Sequence, residues 1–219
     1  MPITAVLVGL PVSGKGTQAD LLAGKFGLYH FMSSKVGKEY ISSHDDPETK
    51  KQAEHYKRGI LFDPEWLWRV QEEKTLEVFN QGRGIVYDGP MRTLYEAKKL
   101  PEFLFGLYGK DNVKIIELKI SEEEAEKRLS KRLVCGKDHA HSFASSDELR
   151  LGGPCPKGDG TLEKRDIDAP EIFRARLLEF EKRTKPALDF LKKKYGVIEI
   201  NGEQSVAKVH EEIVKALGL

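Results

Sequence analysis

Apolar residues alternate along the chain between short continuous runs and runs with helical spacing. The first continuous run, residues 2–9, has the length of a strand and ends at a glycine, as expected for a strand buried on both faces of a sheet. Behind it, apolar residues recur at helical spacing up to Phe26, and Gly27 supplies a helix stop. Further predicted strands cover 28–31, 84–88, 112–120 and 197–200. Alternating strands and helices predict an α/β fold with a parallel sheet.

Capping signals place several helix boundaries. Asp63 stands before a proline and predicts a helix start. Ser121 and Glu124 have the spacing of a capping box, which predicts a helix that carries Leu133. Residues 170–196 have the period of one long amphipathic helix.

Two stretches break the regular alternation. Residues 32–67 are polar and helix-biased with few bulky apolar positions, which predicts a small peripheral insert outside the core. Residues 133–166 are rich in Gly, Pro, Ser and Asp, contain both cysteines, and have no helical period. A loop of that length within a compact domain is typical of a lid or a metal-stapled knuckle. We expect both stretches to be mobile covers over a site.

Charge and composition restrict the kind of partner. The 219 residues carry 36 Lys and Arg against 35 Asp and Glu, a net charge of +1, so no global field attracts nucleic acid or an anionic membrane. Any anion site must be local. No apolar run has the roughly 18 to 20 residues needed to span a bilayer, and the first residues lack a signal-peptide pattern. These features predict a cytoplasmic protein.

The clearest chemical motif follows the first strand. Residues 9–15 fit GxxxxGK, a loop whose backbone N–H groups and lysine surround the phosphates of a nucleotide at a helix N-terminus. A buried strand precedes the loop and a helix follows it, which is the arrangement that this mechanism requires. The predicted ATP-binding residues here are Gly9, Pro11, Val12, Ser13, Gly14, Lys15, Gly16 and Thr17.

The motif continues as GKGT followed by Gln-Ala, and in this form it resembles the adenylate kinase family of nucleoside monophosphate kinases. Further matches follow in the family's order and cover nearly the whole chain. They are GILFD at 59–63 for the acceptor-adenine loop, DGPMRT at 88–93 for DGFPRT, Arg128 and Arg132 for RxxxR, RDID at 165–168 for RxDD, and Arg174 and Arg176 for RxR.

The resemblance implies a fold and a reaction. The expected fold is a single three-layer P-loop domain over 1–219 with a five-stranded parallel sheet. Residues 32–67 would form a helical insert that binds the acceptor, and 133–166 a lid over ATP. The implied reaction is reversible transfer from MgATP to AMP to give two ADP, by a monomer whose partners are small nucleotides.

Phosphoryl transfer between two anions depends on positive charge, which arginine supplies in a bidentate and permanently charged form. The predicted catalytic residues are Lys15, Arg92, Arg128, Arg132, Arg165 and Arg176. Arg128 and Arg132 are also expected at ATP, together with Gln204. Asp88 ends a buried strand and is expected to hold Mg²⁺ through water. The predicted acceptor-binding residues are Ser33, Lys38, Leu61, Phe62, Gly89, Arg92, Glu96, Arg165 and Arg176.

Besides DGPMR in place of DGFPR at 88–92, three positions depart from the family's pattern. Val12 replaces a glycine, and its β-branched side chain predicts that the loop avoids left-handed backbone there. Lys38 replaces an arginine and cannot grip a phosphate bidentately. Glu96 replaces a glutamine, and either reads the acceptor base or closes a helix N-terminus with Thr93.

These departures leave the acceptor open. The alternatives are a UMP/CMP-type or broad-specificity kinase, or a nucleotide-binding module that has lost transfer.

The cysteines of the predicted lid suggest a metal. Many members of the family hold zinc in this segment, and tetrahedral zinc needs four ligands. The candidate ligands are Cys135, His139, Cys155 and Asp159. The alternative is a lid held by packing around Phe143 without metal.

Overall fold

A five-stranded parallel sheet forms the centre of the computed structural model, which describes residues 2–137, 141–146 and 148–219. Its strands stand in the order β2-β3-β1-β4-β8. They are β1 Thr4–Val8, β2 Tyr29–Met32, β3 Ile85–Asp88, β4 Val113–Lys119 and β8 Ile198–Asn201. The predicted five-stranded parallel sheet is therefore confirmed.

Helices cover both faces of this sheet. The helices of the described residues are α1 Lys15–Phe26, α2 Ser33–Ser43, α3 Pro47–Lys57, α4 Pro64–Asn80, α5 Leu94–Tyr108, α6 Glu122–Lys131, α7 Pro170–Glu179, α8 Lys185–Lys194 and α9 Val206–Leu217. Side chains of α4, α5 and α8 pack with Val6 and Tyr87 on one face, and those of α1 and α9 pack with Leu7 and Val86 on the other. None of the helices in the described ranges is long and apolar enough to cross a membrane.

The helix starts predicted at Asp63 and Ser121 are confirmed, but the capping box at Ser121 is incomplete. Asp63 accepts hydrogen bonds from the backbone of α4 at 3.0 and 3.2 Å. Ser121 accepts from the Glu124 N–H at 3.2 Å, but the Glu124 carboxylate binds Arg128 at 2.8 Å, so only half of the capping box forms. Helix α6 ends at Lys131, and Leu133 lies in the following strand.

Residues 32–67 have more core than the pattern predicts. Trp66 is 1% exposed and Phe62 is 8% exposed. Phe62 stacks with Tyr56, and Tyr40 meets Trp66 edge to face. The expectation of a segment outside the core is therefore wrong, because a few large aromatic side chains bury as much surface as a longer aliphatic stripe.

The three strands that follow α6 form a second, antiparallel sheet in the order β6-β5-β7. Its strands are β5 Arg132–Cys135, β6 Ser142–Ala144 and β7 Leu162–Glu163. Leu133, Leu162 and the two cysteines make its small core, with Phe143 packed against it. Lys157 in this segment binds the carboxylate of Asp20 on α1.

The long helix predicted for 170–196 contains a π-helical turn at Phe180–Thr184, between α7 and α8. Pro186 follows within the first turn of α8 and has no N–H to donate back to the carbonyl of Lys182. The α-helical hydrogen-bond pattern is therefore interrupted at this point, which allows the wider π-helical turn. Thr184 within it donates its hydroxyl to the Arg92 carbonyl at 3.1 Å.

Candidate active site

A cavity of about 830 Å³ opens beside the carboxyl ends of β1 and β3. This is the edge of a parallel α/β sheet where ligands bind. The walls come from the residue 9–17 loop, the segment around α2 and α4, and the small second sheet. The cavity therefore spans all the segments in which the sequence predicts site residues.

The glycine-rich loop joins β1 to α1 in a tight turn. Gly9 has a φ of 139°, and a Cβ there would lie 2.5 Å from the Leu118 carbonyl oxygen. Only glycine fits so close to β4, the neighbouring strand in the sheet. Helix α1 then begins at Lys15, so its unpaired N–H groups face the cavity where an anion would be stabilised.

Val12 takes left-handed backbone, with a φ of 58°. The prediction that its β-branched side chain would prevent this is wrong. The loop must close between β1 and α1, and the Ser13 N–H donates to the Leu10 carbonyl at 3.2 Å across this turn. Left-handed backbone costs a non-glycine residue roughly 1–2 kcal/mol. The surrounding elements impose that strain, as is common at functional sites.

Lys15 is folded into its own loop. Its ammonium donates to the carbonyls of Gly9 and Leu10 at 2.9 and 2.7 Å and to Ser13 Oγ at 3.2 Å, and the residue is 8% exposed. Burial lowers the pKa of Lys15 to about 7, while the negative charge of Asp88 opposes this shift. Arg92, Arg176 and Arg132 lower the pKa further. A nearby polyanion would reverse this shift.

Five arginines from separate parts of the chain line the same cavity. They are Arg92, Arg128, Arg132, Arg165 and Arg176. Burial lowers the pKa of Arg176 to about 9, and it also lowers the pKa of Arg132. A set of desolvated cations in one cavity is an anion site.

Hydrogen bonds or ion pairs within the protein hold these arginines in place. The Asp168 carboxylate is 4% exposed and faces Arg132, which donates from Nε at 2.8 Å, as well as Arg165 at 3.5 Å and Arg176 at 3.6 Å. One carboxylate thus holds three guanidinium groups and leaves net positive charge. Arg128 donates to the carbonyl of Gly202 at 2.7 Å.

Arg92 lies where DGPMR departs from the family's DGFPR. It donates from Nε to the Gly89 carbonyl at 2.7 Å, and both residues line the cavity. Met91 beside it has a φ of 57° and is 1% exposed. This second left-handed residue lets the chain turn between β3 and α5 and still direct Arg92 inward.

Asp88 and Thr17 bring oxygen ligands to the phosphate end of the cavity. Asp88 Oδ2 lies 3.1 Å from the position that a Cβ on Gly16 would occupy, and 4.0 Å from His30 Nε2. A carboxylate and a hydroxyl fit a hydrated Mg²⁺, which prefers oxygen ligands and keeps several waters.

Glu96 both caps a helix and lines the cavity. Its N–H donates to Thr93 Oγ1 at 3.3 Å, and the Thr93 hydroxyl donates to its carboxylate at 2.9 Å. The helix-closing role is therefore present, although the residue still borders the predicted base-binding end. Burial raises the pKa of this carboxyl, which is 1% exposed.

The remaining predicted acceptor residues fall into two groups. Ser33, Leu61 and Phe62 line the cavity, and Ser33 Oγ is buried with no hydrogen-bond partner in the described ranges. Lys38 is exposed, and its ammonium lies 5.5 Å from the ring centroid of Tyr56. Tyr56 lines the cavity, so Lys38 reaches the site only through that ring.

Gln204 lines the cavity, and so do two lysines that sequence reasoning missed. The Gln204 amide donates to the Asn201 carbonyl at 3.0 Å. The two lysines are Lys127 and Lys131 on α6. Their i, i+4 spacing next to the predicted arginines is the signal that could have found them.

The described part of residues 133–166 contains a cluster of possible metal ligands. The ligand atoms of Cys135, His141 and Cys155 lie within 4.8 Å of one another. His141 takes part where the predicted set had His139, which lies outside the described residues. Asp159 lies apart from this cluster and binds Lys137 at 2.6 Å. Two thiols and an imidazole suit Zn²⁺.

The helix-flanked parallel sheet, the glycine-rich loop and the ring of cations define a P-loop nucleotide-binding protein. A family model described as Adenylate kinase matches residues 7–196. The adenylate kinase of Chlamydia trachomatis serovar D is 29% identical over 99% of this chain and 90% of its own length. That of Caldicellulosiruptor saccharolyticus is 26% identical over 98% of each chain.

The chain belongs to the adenylate kinase family. It is an ATP-binding phosphotransferase of the nucleoside monophosphate kinase class. Members of this family use ATP and Mg²⁺ and bind nucleotide substrates.

The backbone strain at Val12 has a measurable consequence. Val12→Gly should raise the free energy of unfolding by about 1 kcal/mol, because glycine adopts this φ without penalty. Urea unfolding of the nucleotide-free protein measures the difference. Val12→Ala is the matched control, since it shortens the side chain but keeps a Cβ, and it should gain less than the glycine variant. A glycine variant less stable than the wild type would contradict the assignment of strain.

Proposed function

We propose that the chain transfers the γ-phosphoryl group of MgATP to AMP, giving two ADP, and that the reaction is reversible. The observation that carries the proposal is the convergence of Lys15 and five arginines on one cavity. That cavity extends from the P-loop to a separate apolar end beside Leu61 and Phe62, so it offers room for a second nucleotide.

The donor triphosphate would lie along the P-loop. Loop N–H groups and Lys15 would bind its terminal phosphates, and Arg128 and Arg132 would reach them from α6 and β5. Gln204 lies at the end where the donor base would be placed. Mg²⁺, held through water by Asp88, would neutralise charge on the donor phosphates.

The acceptor would lie opposite. Arg92, Arg165 and Arg176 would bind its phosphate, and Leu61 and Phe62 would flank its base. Residues 32–67 are proposed as the acceptor-binding insert. Lys38 is proposed as an added charge at its rim.

No side-chain nucleophile is required, because an acceptor phosphate oxygen attacks the γ-phosphorus directly and the ADP oxygen leaves in line. The arginines neutralise charge as it shifts between the two nucleotides. Asp168 orients three of them without contact with the reacting atoms. We propose a monomer as the acting unit.

Residues 133–166 are proposed as a lid over ATP. The contact from Lys157 to Asp20 supports this, because it joins the segment to the helix that begins at the P-loop. Closure would exclude water, which competes with AMP for the phosphoryl group. We propose that Zn²⁺ held by Cys135, His141 and Cys155, with its fourth position taken by a ligand outside this cluster, stabilises this segment.

Turnover with a panel of monophosphates tests the reaction. With MgATP, AMP should be the preferred acceptor over CMP, UMP and GMP. Lys15→Met should lower turnover by about 10²-fold or more, because a preorganised charge at the transferring group is lost. Lys25→Met, an exposed change on the same helix, is the matched control and should leave turnover unchanged.

Two results would contradict this assignment. Faster turnover of another monophosphate would move the protein to a different acceptor class. Nucleotide binding without turnover of any acceptor would indicate a module that has lost transfer.

The zinc proposal is tested by elemental analysis. The purified protein should contain about one zinc per chain, as a structural site does. Cys155→Ser should lose the metal, whereas Asp159→Asn should retain it because Asp159 binds Lys137 instead. Metal-free wild-type protein after purification with added zinc would contradict the proposal.

A further inference from the structure

The loop between α3 and α4 is fastened to helix α7 at two points. At the first, a Cβ on Gly59 would lie 2.8 Å from Ile172 Cγ2 and 3.3 Å from Arg176 Cγ, so loop and helix are in close contact. At the second, the Leu61 N–H donates to Glu179 Oε2 at 3.4 Å. The loop residues 59–62 all line the cavity.

Glu179 is held ready for this contact. Its carboxylate accepts from Arg183 Nη1 at 3.3 Å, one helical turn away. The side chain is 21% exposed and borders the cavity. The ion pair with Arg183 restricts the rotamers of Glu179, so its Oε2 stays directed toward the backbone of the loop.

The same stretch of helix also positions groups at the phosphate end. Arg176 lies three residues before Glu179 and therefore on the same helix face. The π-helical turn begins directly after Glu179, and Thr184 within it donates to the Arg92 carbonyl. Residues 176–184 thus connect the loop at the base end with two arginines at the phosphate end.

We propose that Glu179 is a positioning residue for the acceptor nucleotide, because it fixes the loop of Leu61 at a set distance from Arg92 and Arg176. This inference rests on the proposed function for the identity of the acceptor. The hydrogen bonds described for Glu179 go to Leu61 and Arg183, and none goes to the P-loop. Its loss should weaken acceptor binding and leave donor binding unchanged.

The test compares Glu179→Ala with Glu179→Gln. The alanine variant should raise the KM for AMP about tenfold, the change that corresponds to about 1.4 kcal/mol, and should keep the KM for ATP within about twofold. The glutamine variant keeps an acceptor oxygen for Leu61 and Arg183, and should stay within about threefold of wild type for both substrates. Glu181→Ala is the matched control, because Glu181 is exposed two residues away and pairs with Lys185.

A purely structural role would give a different pattern. It would lower stability and change both KM values or kcat together, and that result would overturn the proposal. An unchanged KM for AMP in Glu179→Ala would also overturn it.

Calorimetric titration of AMP onto wild type and Glu179→Ala separates this inference from the proposed reaction, since it needs no turnover. Weaker AMP binding in the alanine variant alone supports the positioning role even if the wild type is inactive. Equal AMP affinity in both proteins, or no AMP binding to either, refutes it.

Discussion

Excess positive charge buried in one cavity is the constraint on which the rest of this structure depends. Lys15, Arg132 and Arg176 are desolvated together, and burial, with mutual repulsion added to it, lowers their pKa values. Such groups would move apart unless they were held. Each tether comes from a different element, because Lys15 binds loop carbonyls, Arg128 binds Gly202 and Arg132 binds Asp168. The fold keeps the cations together, and a polyphosphate supplies the missing negative charge.

The backbone is most constrained in the two segments that are proposed to bind phosphate. Val12 and Met91 both take left-handed φ values, one in the P-loop and the other beside Arg92. Preorganised donors need no rearrangement when charge develops during transfer, so this strain fits the proposed chemistry. The base end is built differently. There, aromatic packing and single contacts such as Leu61 to Glu179 define the wall.

Local patterns in the sequence were sufficient to predict the parallel sheet and the P-loop. The buried runs predicted all five strands of the parallel sheet, and the GxxxxGK spacing between a strand and a helix predicted the loop with Lys15. The order of the arginine motifs predicted which side chains meet. These features depend on near neighbours or on a known topology, which the sequence carries directly.

Other features depend on contacts distant in sequence. Left-handed Val12 follows from closure between β1 and α1, which overrides its own preference. The π-helical turn and the role of Glu179 arise from packing of 176–184 against Arg92 and the loop at 59–62. His141 joins the cysteines through pairing of β5 with β6, although residue spacing alone gave no reason to choose it.

Proton uptake on nucleotide binding tests the central claim most directly. The pKa of Lys15 is about 7 in the free protein, so much of the side chain is neutral at pH 8, and bound phosphates should raise the pKa and protonate it. Calorimetry of MgATP binding at pH 8, in two buffers of different ionisation enthalpy, should reveal uptake approaching one proton per site. The uptake should shrink at pH 6 and disappear in Lys15→Met. Identical heats in both buffers for the wild type at pH 8 would contradict the account.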